Sequence, residues 1–220
     1  MMLDFKALLF DLDGTLLDTA PDFISALNRL LADQHREPLP SHQIRSAVTN
    51  GSVGIIQAAF NLGPQDSQFE ALRQQFLDYY LANIADQTAL FDGMEALLTG
   101  CTQRGIPWGI VTNKPWKYTQ ALLDQLNLAE KSATTICPDH VARPKPDPQA
   151  LLLACSELNI NPAACVYVGD HRRDIEAGRS AGMITVAAEW GYIEEAENIV
   201  DWHADWVAAT PNELTRILLG

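Results

Sequence analysis

Residues 7–15 read Ala7-Leu8-Leu9-Phe10-Asp11-Leu12-Asp13-Gly14-Thr15, an apolar run that passes directly into two carboxylates and an Asp-Gly pair. A short stretch without polar residues fits a strand buried on both faces, as strands of a parallel sheet are. Open α/β sheets carry their ligand sites just beyond the carboxyl ends of such strands. The plainer alternative is an acidic turn, since Asp-Gly is a common turn dipeptide.

The same pattern repeats further along the chain. Trp108 to Val111, Thr134 to Ile136, Cys165 to Val168 and Ile184 to Ala188 are short, near-continuously apolar runs. Between and after them, helical periodicity appears at Glu95 to Gln103, Tyr118 to Leu126, Gln149 to Leu158, Ile175 to Ala181 and Asn212 to Leu219. Strands alternating with helices predict a doubly wound, Rossmann-like α/β core with a parallel sheet. Residues 21–87 break the alternation. There four helix-like segments follow one another, the first with Phe23, Leu27, Leu30 and Leu31 on one face, the fourth with Phe69, Leu72, Phe76, Tyr80 and Ile84. Ser41 is placed to N-cap the second, and Asn50-Gly51-Ser52 to cap the third. The predicted organisation is an α/β core from residues 1–20 and 88–220 with an α-helical cap inserted at 21–87.

Three later strand exits add to the first. Val111 leads into Thr112-Asn113-Lys114, whose hydroxyl can donate to an anionic oxygen. The third strand is followed by Arg143-Pro144-Lys145-Pro146-Asp147-Pro148, in which prolines stiffen the segment around Lys145. The fourth exit reads Gly169-Asp170-His171-Arg172-Arg173-Asp174, where helix capping by Asp170 competes with a functional reading. Asp11, Asp13, Thr112, Lys145, Asp170 and Asp174 are thus expected at one edge of one sheet. Carboxylates crowded there repel one another unless a cation neutralises them, and oxygen-only ligands without His or Cys point to a hard ion, Mg²⁺ first.

Composition narrows the function classes. The chain has 220 residues, 15 Lys+Arg against 28 Asp+Glu and a net charge of −13. Such a surface repels a phosphate backbone, which disfavours nucleic-acid binding. With 47% hydrophobic residues there is enough apolar material for a core without staples. Four cysteines, Cys101, Cys137, Cys155 and Cys165, show no C-x-x-C spacing, and the N-terminal apolar run is broken by Asp11 before any cleavage site. These features predict a cytoplasmic protein without membrane association, monomeric or homodimeric.

The four motifs together resemble the haloacid dehalogenase superfamily, specifically its phosphatases with a helical cap after the first motif. In that resemblance Asp11-Leu12-Asp13-Gly14-Thr15 is the nucleophile loop, Thr112 the second-motif hydroxyl, Lys145 the third-motif cation, and Asp170 with Asp174 the acidic fourth motif. It implies a phosphatase in which Asp11 attacks phosphorus to form an aspartyl-phosphate. Asp13 protonates the leaving oxygen and then activates water. Mg²⁺ lies among Asp11, the Asp13 carbonyl and Asp170, with Asp174 orienting its water shell. Thr112 and Lys145 hold phosphoryl oxygens, with backbone N–H groups near Leu12 and Gly14 as further donors. Asp13 speaks against dehalogenation, since a halide needs no acid. Residues 21–87 contain no lysine, so a cap Schiff base has no candidate. A phosphomutase using the same aspartyl-phosphate is the alternative, and a non-catalytic phosphometabolite-binding module a third reading.

For the substrate, a small phosphorylated metabolite, the candidate contacts are Asn113 from the core and Arg45, Asn50, Gly51 and Ser52 from the cap. Leu16-Leu17-Asp18-Thr19 and Gly178-Arg179-Ser180-Ala181-Gly182 resemble the phosphoglycolate phosphatases. Residues 17–23, Arg172 to Gly178 and Trp190-Gly191-Tyr192 resemble the N-acetylmuramic acid 6-phosphate phosphatases, which act in peptidoglycan recycling. His171 departs from the acidic or small residue usual there and reads as a loop donor.

Overall fold

A computed structural model describes residues 3–194 and 196–220. The chain enters through β1 (Ala7–Phe10), turns into the two-residue β2 (Leu17–Asp18), and then runs through four consecutive helices, α1 (Ala20–Asp33), α2 (Ser41–Val48), α3 (Gly51–Phe60) and α4 (Phe69–Ala82). It returns through β3 (Ala89–Leu90) and continues as α5 (Met94–Gln103), β4 (Trp108–Val111), α6 (Trp116–Gln125), β5 (Thr135–Ile136), α7 (Gln149–Leu158), β6 (Cys165–Gly169), α8 (Arg172–Ala181), β7 (Ile184–Ala188), β8 (Trp206–Ala208) and α9 (Pro211–Leu219). Six strands form a parallel sheet in the order β5-β4-β1-β6-β7-β8, with β1 central. This is the α/β, Rossmann-like architecture that the alternation predicts.

Period-two geometry divides each central strand between two cores. Leu8 and Phe10 of β1, with Val166 and Val168 of β6, pack on the face covered by α5, α6 and α9. Ala7 and Leu9, with Cys165 and Tyr167, face α7 and α8. All eight are fully buried, and each large apolar side chain among them contributes roughly 2–3 kcal/mol of transfer free energy. The first core continues into the four-helix segment through Phe23, Leu27, Leu30, Phe76 and Tyr80. No helix among the described residues is long and apolar enough to cross a membrane.

The two chain crossings next to the helical segment lie side by side. β2 and β3 pair antiparallel, Leu17 opposite Leu90 and Asp18 opposite Ala89. The buried Asp22 carboxylate accepts from the Gln87 and Thr88 amides and the Thr88 hydroxyl, the last at 2.6 Å. Neither this ladder nor β8 is legible in the sequence, because two or three residues cannot display an alternation. Ser41 does not cap α2: it is the first helical residue, and Pro40 stands at the N-cap position without a side-chain bond. Asn50 does hold the N-cap position of α3, but its side-chain amide donates to Glu194 rather than capping. Helix α8 begins at Arg172, three residues before the periodicity does, because its first turn is polar.

Candidate active site

The Asp11 amide donates to the Val168 carbonyl at 2.9 Å, so the β1–β6 ladder runs one residue past the strand and fixes Asp11 at the sheet edge. The chain then doubles back, with the Leu16 and Leu17 amides both donating to the Leu12 carbonyl. Gly14 has φ +81°, and a Cβ there would overlap Asp170 Oδ2. Gly191 approaches the same side chain, and a Cβ on it would overlap the Asp170 Cβ. The two glycines form a cradle that only missing side chains permit. The expected backbone donors are occupied: the Leu12 amide bonds Asp11 Oδ1 at 2.7 Å and the Gly14 amide bonds the Leu17 carbonyl.

The Lys145 side chain lies under Asp11 and is fully buried. Its Nζ is 3.1 Å from Asp11 Oδ1, 2.6 Å from Asp174 Oδ1, 2.7 Å from the Tyr167 hydroxyl and 2.9 Å from the Val111 carbonyl. Burial alone would lower its pKa, but Asp11 and Asp174 outweigh that and hold the ammonium above its ordinary value. Asn113 accepts from the Lys145 amide and donates to its carbonyl. Asn113 therefore reaches the cavity wall with both ends of its amide committed to Lys145, and Lys145 itself sits behind that wall.

Asp170 accepts from the Thr15 hydroxyl at 2.9 Å and the Tyr192 amide at 2.8 Å. Burial, reinforced by Asp11 and Asp174, pushes its carboxyl up to about 7. Ligand oxygens of Asp11, Asp170 and Asp174 lie within 4.8 Å of one another. Fully ionised, these three carboxylates would carry −3 against the +1 of Lys145, a difference that a divalent cation balances, and the all-oxygen set suits a hard ion. Asp174 fills a supporting place, one oxygen on Lys145 and the other on the His171 amide. The residues present fit a divalent metal.

Helix α8 is capped by His171, whose Nδ1 accepts from the Arg173 amide at 3.0 Å, not by Asp170. His171 is thus a ring acceptor rather than the expected loop donor. Burial and Arg173 lower its pKa to about 4, which keeps the ring neutral, and the Arg173 amide bond makes Nδ1 the acceptor.

Asp13 faces the other way, toward the helical segment. Lys114 Nζ lies 2.9 and 3.2 Å from its two carboxylate oxygens and 2.9 Å from the Tyr80 hydroxyl. Thr112 is buried; its Oγ accepts from the Lys114 amide and retains a hydroxyl proton to donate.

Above these groups lies a cavity of about 280 Å³, walled by Asp11, Asp13, Thr112 and Asp170 below and by residues 48–53, Arg73, Leu77 and Tyr80 above. Asn50, Gly51 and Ser52 all line it. The junction between α2 and α3 is tied to the core: the Thr49 hydroxyl donates to the Tyr192 carbonyl at 2.7 Å, and Arg173 donates to the Thr49 carbonyl. Arg45 is not on the wall. Its guanidinium bonds both oxygens of Asp18 at 3.0 and 3.2 Å and lies over the Tyr192 ring, so the substrate partner expected for it is already replaced by Asp18. The cation of the helical segment that does face the cavity is Arg73, bonded through Nε to Ser52 and through one terminal nitrogen to Glu70. Its signal in the sequence was spacing: Arg73, Leu77 and Tyr80 fall on one stripe of α4.

Residues 5–182 match the haloacid dehalogenase-like hydrolase family model. An N-acetylmuramic acid 6-phosphate phosphatase of Pseudomonas putida is 45% identical over 213 residues, 97% of this chain and 96% of that relative. A phosphoglycolate phosphatase of Xanthomonas campestris is 41% identical over 209 residues, 95% and 94% of the two chains. The solved structure of a predicted phosphoglycolate phosphatase from Haemophilus somnus superposes with a TM-score of 0.85 at 25% identity, covering 99% of both chains. Motif order, sheet edge and similarity agree: the chain belongs to the haloacid dehalogenase-like hydrolase family, among its phosphoric monoester hydrolases.

Proposed function

We propose that this enzyme is a Mg²⁺-dependent phosphatase that works through an aspartyl-phosphate on Asp11, with residues 21–87 acting as its cap. The observation that carries the reading is the division of labour between the two loop carboxylates. Asp11 is held by the core, one oxygen on Lys145, whereas Asp13 points to the cap side of the cavity. In-line displacement needs those two positions, a nucleophile behind phosphorus and an acid at the leaving oxygen.

Asp11 attacks phosphorus while the leaving oxygen takes a proton from Asp13. The aspartate then left ionised removes a proton from the water that cleaves the acyl-phosphate. Thr112 donates its hydroxyl proton to a phosphoryl oxygen. Lys145 fixes the Asp11 and Asp174 carboxylates from beneath. Asp11, the Asp13 carbonyl and Asp170 would hold Mg²⁺, with Asp174 behind them. When bound, the ion supplies positive charge at the phosphoryl oxygens and removes the repulsion among the carboxylates. The cap loop excludes bulk water from the transfer.

As substrate we propose N-acetylmuramic acid 6-phosphate, with phosphoglycolate as the competing metabolite. Both carry a carboxylate away from the phosphate, and Arg73 is the cap cation facing the cavity. A volume of about 280 Å³ suits an amino-sugar phosphate better than a two-carbon acid. The greater identity to the N-acetylmuramic acid 6-phosphate phosphatase supports the same choice. Phosphate release from both compounds, with Mg²⁺ and with Asp11→Asn as control, tests the reading. A kcat/KM for the amino-sugar phosphate at least tenfold higher is expected; a preference for phosphoglycolate would reject the substrate assignment, and release independent of Asp11 the mechanism.

A further inference from the structure

Lys114 has no assigned part in the reaction, yet its side chain is buried and held on several sides. Its side chain is only 6% exposed. Nζ points one way at both oxygens of Asp13 and another way at the Tyr80 hydroxyl of α4. It also lies 4.8 Å from the Phe23 ring centroid of α1 and 4.7 Å from that of Tyr80, two rings stacked 4.1 Å apart. Its backbone is pinned at both ends, the amide to Thr112 Oγ and the carbonyl to the Thr119 hydroxyl. A buried ammonium persists only where its partners compensate for lost water, and here one partner is a core-loop carboxylate while the rest belong to the helical segment.

The consequence follows from what else holds Asp13. Among the described residues, Lys114 is the one side chain bonded to its carboxylate, which is otherwise 20% exposed. Asp11, by contrast, is aimed by Lys145, which takes all its partners from the core. The two loop carboxylates thus have separate lysines, one seated in the sheet and one seated between α1 and α4.

We propose that Lys114 is a positioning residue that aims the Asp13 carboxylate at the leaving oxygen and makes that aim depend on the seating of Phe23 and Tyr80. The inference rests on the reading of Asp13 as the acid. It requires no direct contact between Lys114 and substrate.

The test uses two aryl phosphates of similar shape, phenyl phosphate and p-nitrophenyl phosphate, with the Mg²⁺-supplemented full-length enzyme. Phenoxide needs a proton as it departs, and nitrophenoxide needs it far less. Because kcat/KM covers the steps up to leaving-group departure and excludes hydrolysis of the aspartyl-phosphate, the ratio between the two substrates reads the acid's contribution. Lys114→Met is expected to lower kcat/KM for phenyl phosphate about 100-fold, a typical cost of losing an aligned acid, and for p-nitrophenyl phosphate no more than about fivefold. Tyr80→Phe, which keeps the aromatic stack and removes one bond to Lys114, should show the same selectivity at smaller size and covers the case of a poorly folding methionine variant. In an Asp13→Ala background, Lys114→Met should add nothing further for phenyl phosphate. Equal losses on both substrates, or losses that add to those of Asp13→Ala, would overturn the inference while the wild-type enzyme stays a phosphatase. Absence of Asp11-dependent phosphate release from the wild type would overturn the phosphatase reading, and this inference with it.

Discussion

The floor and the roof of the cavity are built differently. The floor is Asp11, Asp13, Thr112 and Asp170, and the Lys145 and Asp174 side chains behind it are wholly inaccessible, their polar atoms bonded within the core and to the first turn of α8. On the roof, Arg73 and Ser52 are partly exposed, and the α2–α3 junction is tied to the core by a few bonds to Tyr192, Arg173 and Glu194. Chemistry that moves a phosphoryl group needs fixed charges, which a packed sheet edge provides. Recognition needs a surface that admits and releases substrate, which a loop on a separate helical segment provides. Substitutions in the floor should therefore change kcat, and substitutions in the roof should change KM and substrate preference.

The largest effect expected is from Asp11→Asn, a loss of phosphate release on the order of 10⁵-fold or more with the fold intact by circular dichroism. A residual rate within a hundredfold of wild type would remove the nucleophile from the floor. Metal linkage comes next. The Asp170 carboxyl stands near 7 in the folded chain, above the about 4 of an unfolded aspartate. Its contribution to metal-free stability is therefore fully present below about pH 4 and is lost as pH rises through about 7. Mg²⁺ must displace that proton, so the thermal stabilisation by Mg²⁺ should grow between about pH 6 and about pH 8 and vanish in Asp170→Asn. A gain that does not vary with pH contradicts this charge arrangement.

Roof variants should be milder. Arg73→Ala is expected to raise KM for carboxylate-bearing phosphates roughly 10- to 100-fold, the worth of a charge-assisted hydrogen bond, with little change in kcat or in activity on phenyl phosphate. An equal KM rise for all substrates would mean that Arg73 serves the cap fold only. The smallest effect belongs to Arg45→Ala. Its partner Asp18 is itself partly exposed, so about 1 kcal/mol of stability and less than a twofold change in KM are expected. A tenfold change in KM would return Arg45 to the substrate contacts.

The floor was more legible in the sequence than the roof, and the reason is geometric. An apolar run that ends in a carboxylate puts that carboxylate at a sheet edge wherever strands are parallel, so Asp11, Thr112 and Asp170 could be grouped before any contact was known. Helical periodicity identifies which face of α4 is buried but not which neighbour it meets, so Arg73 stood hidden among ordinary polar positions. Lys114 stands in the Thr112-Asn113-Lys114 strand exit, but its role is not legible there, since its partners Phe23 and Tyr80 lie 91 and 34 positions away. Arg45 misleads in the opposite direction: a cation in the helical segment invites a substrate anion, but Asp18 of β2 reaches it first. The absence of lysine from residues 21–87 was sound as a statement about the segment, yet a lysine does reach it, from the core.

The central claim is that Asp11 carries the phosphoryl group. Acid-quenching the enzyme during steady-state turnover, followed by peptide mass spectrometry, tests it most directly. A phosphoryl group should be found on the peptide containing Asp11, and it should accumulate when Asp13→Ala slows hydrolysis of the intermediate. Turnover with no phosphorylated peptide in either protein, or with the label on another residue, would contradict it.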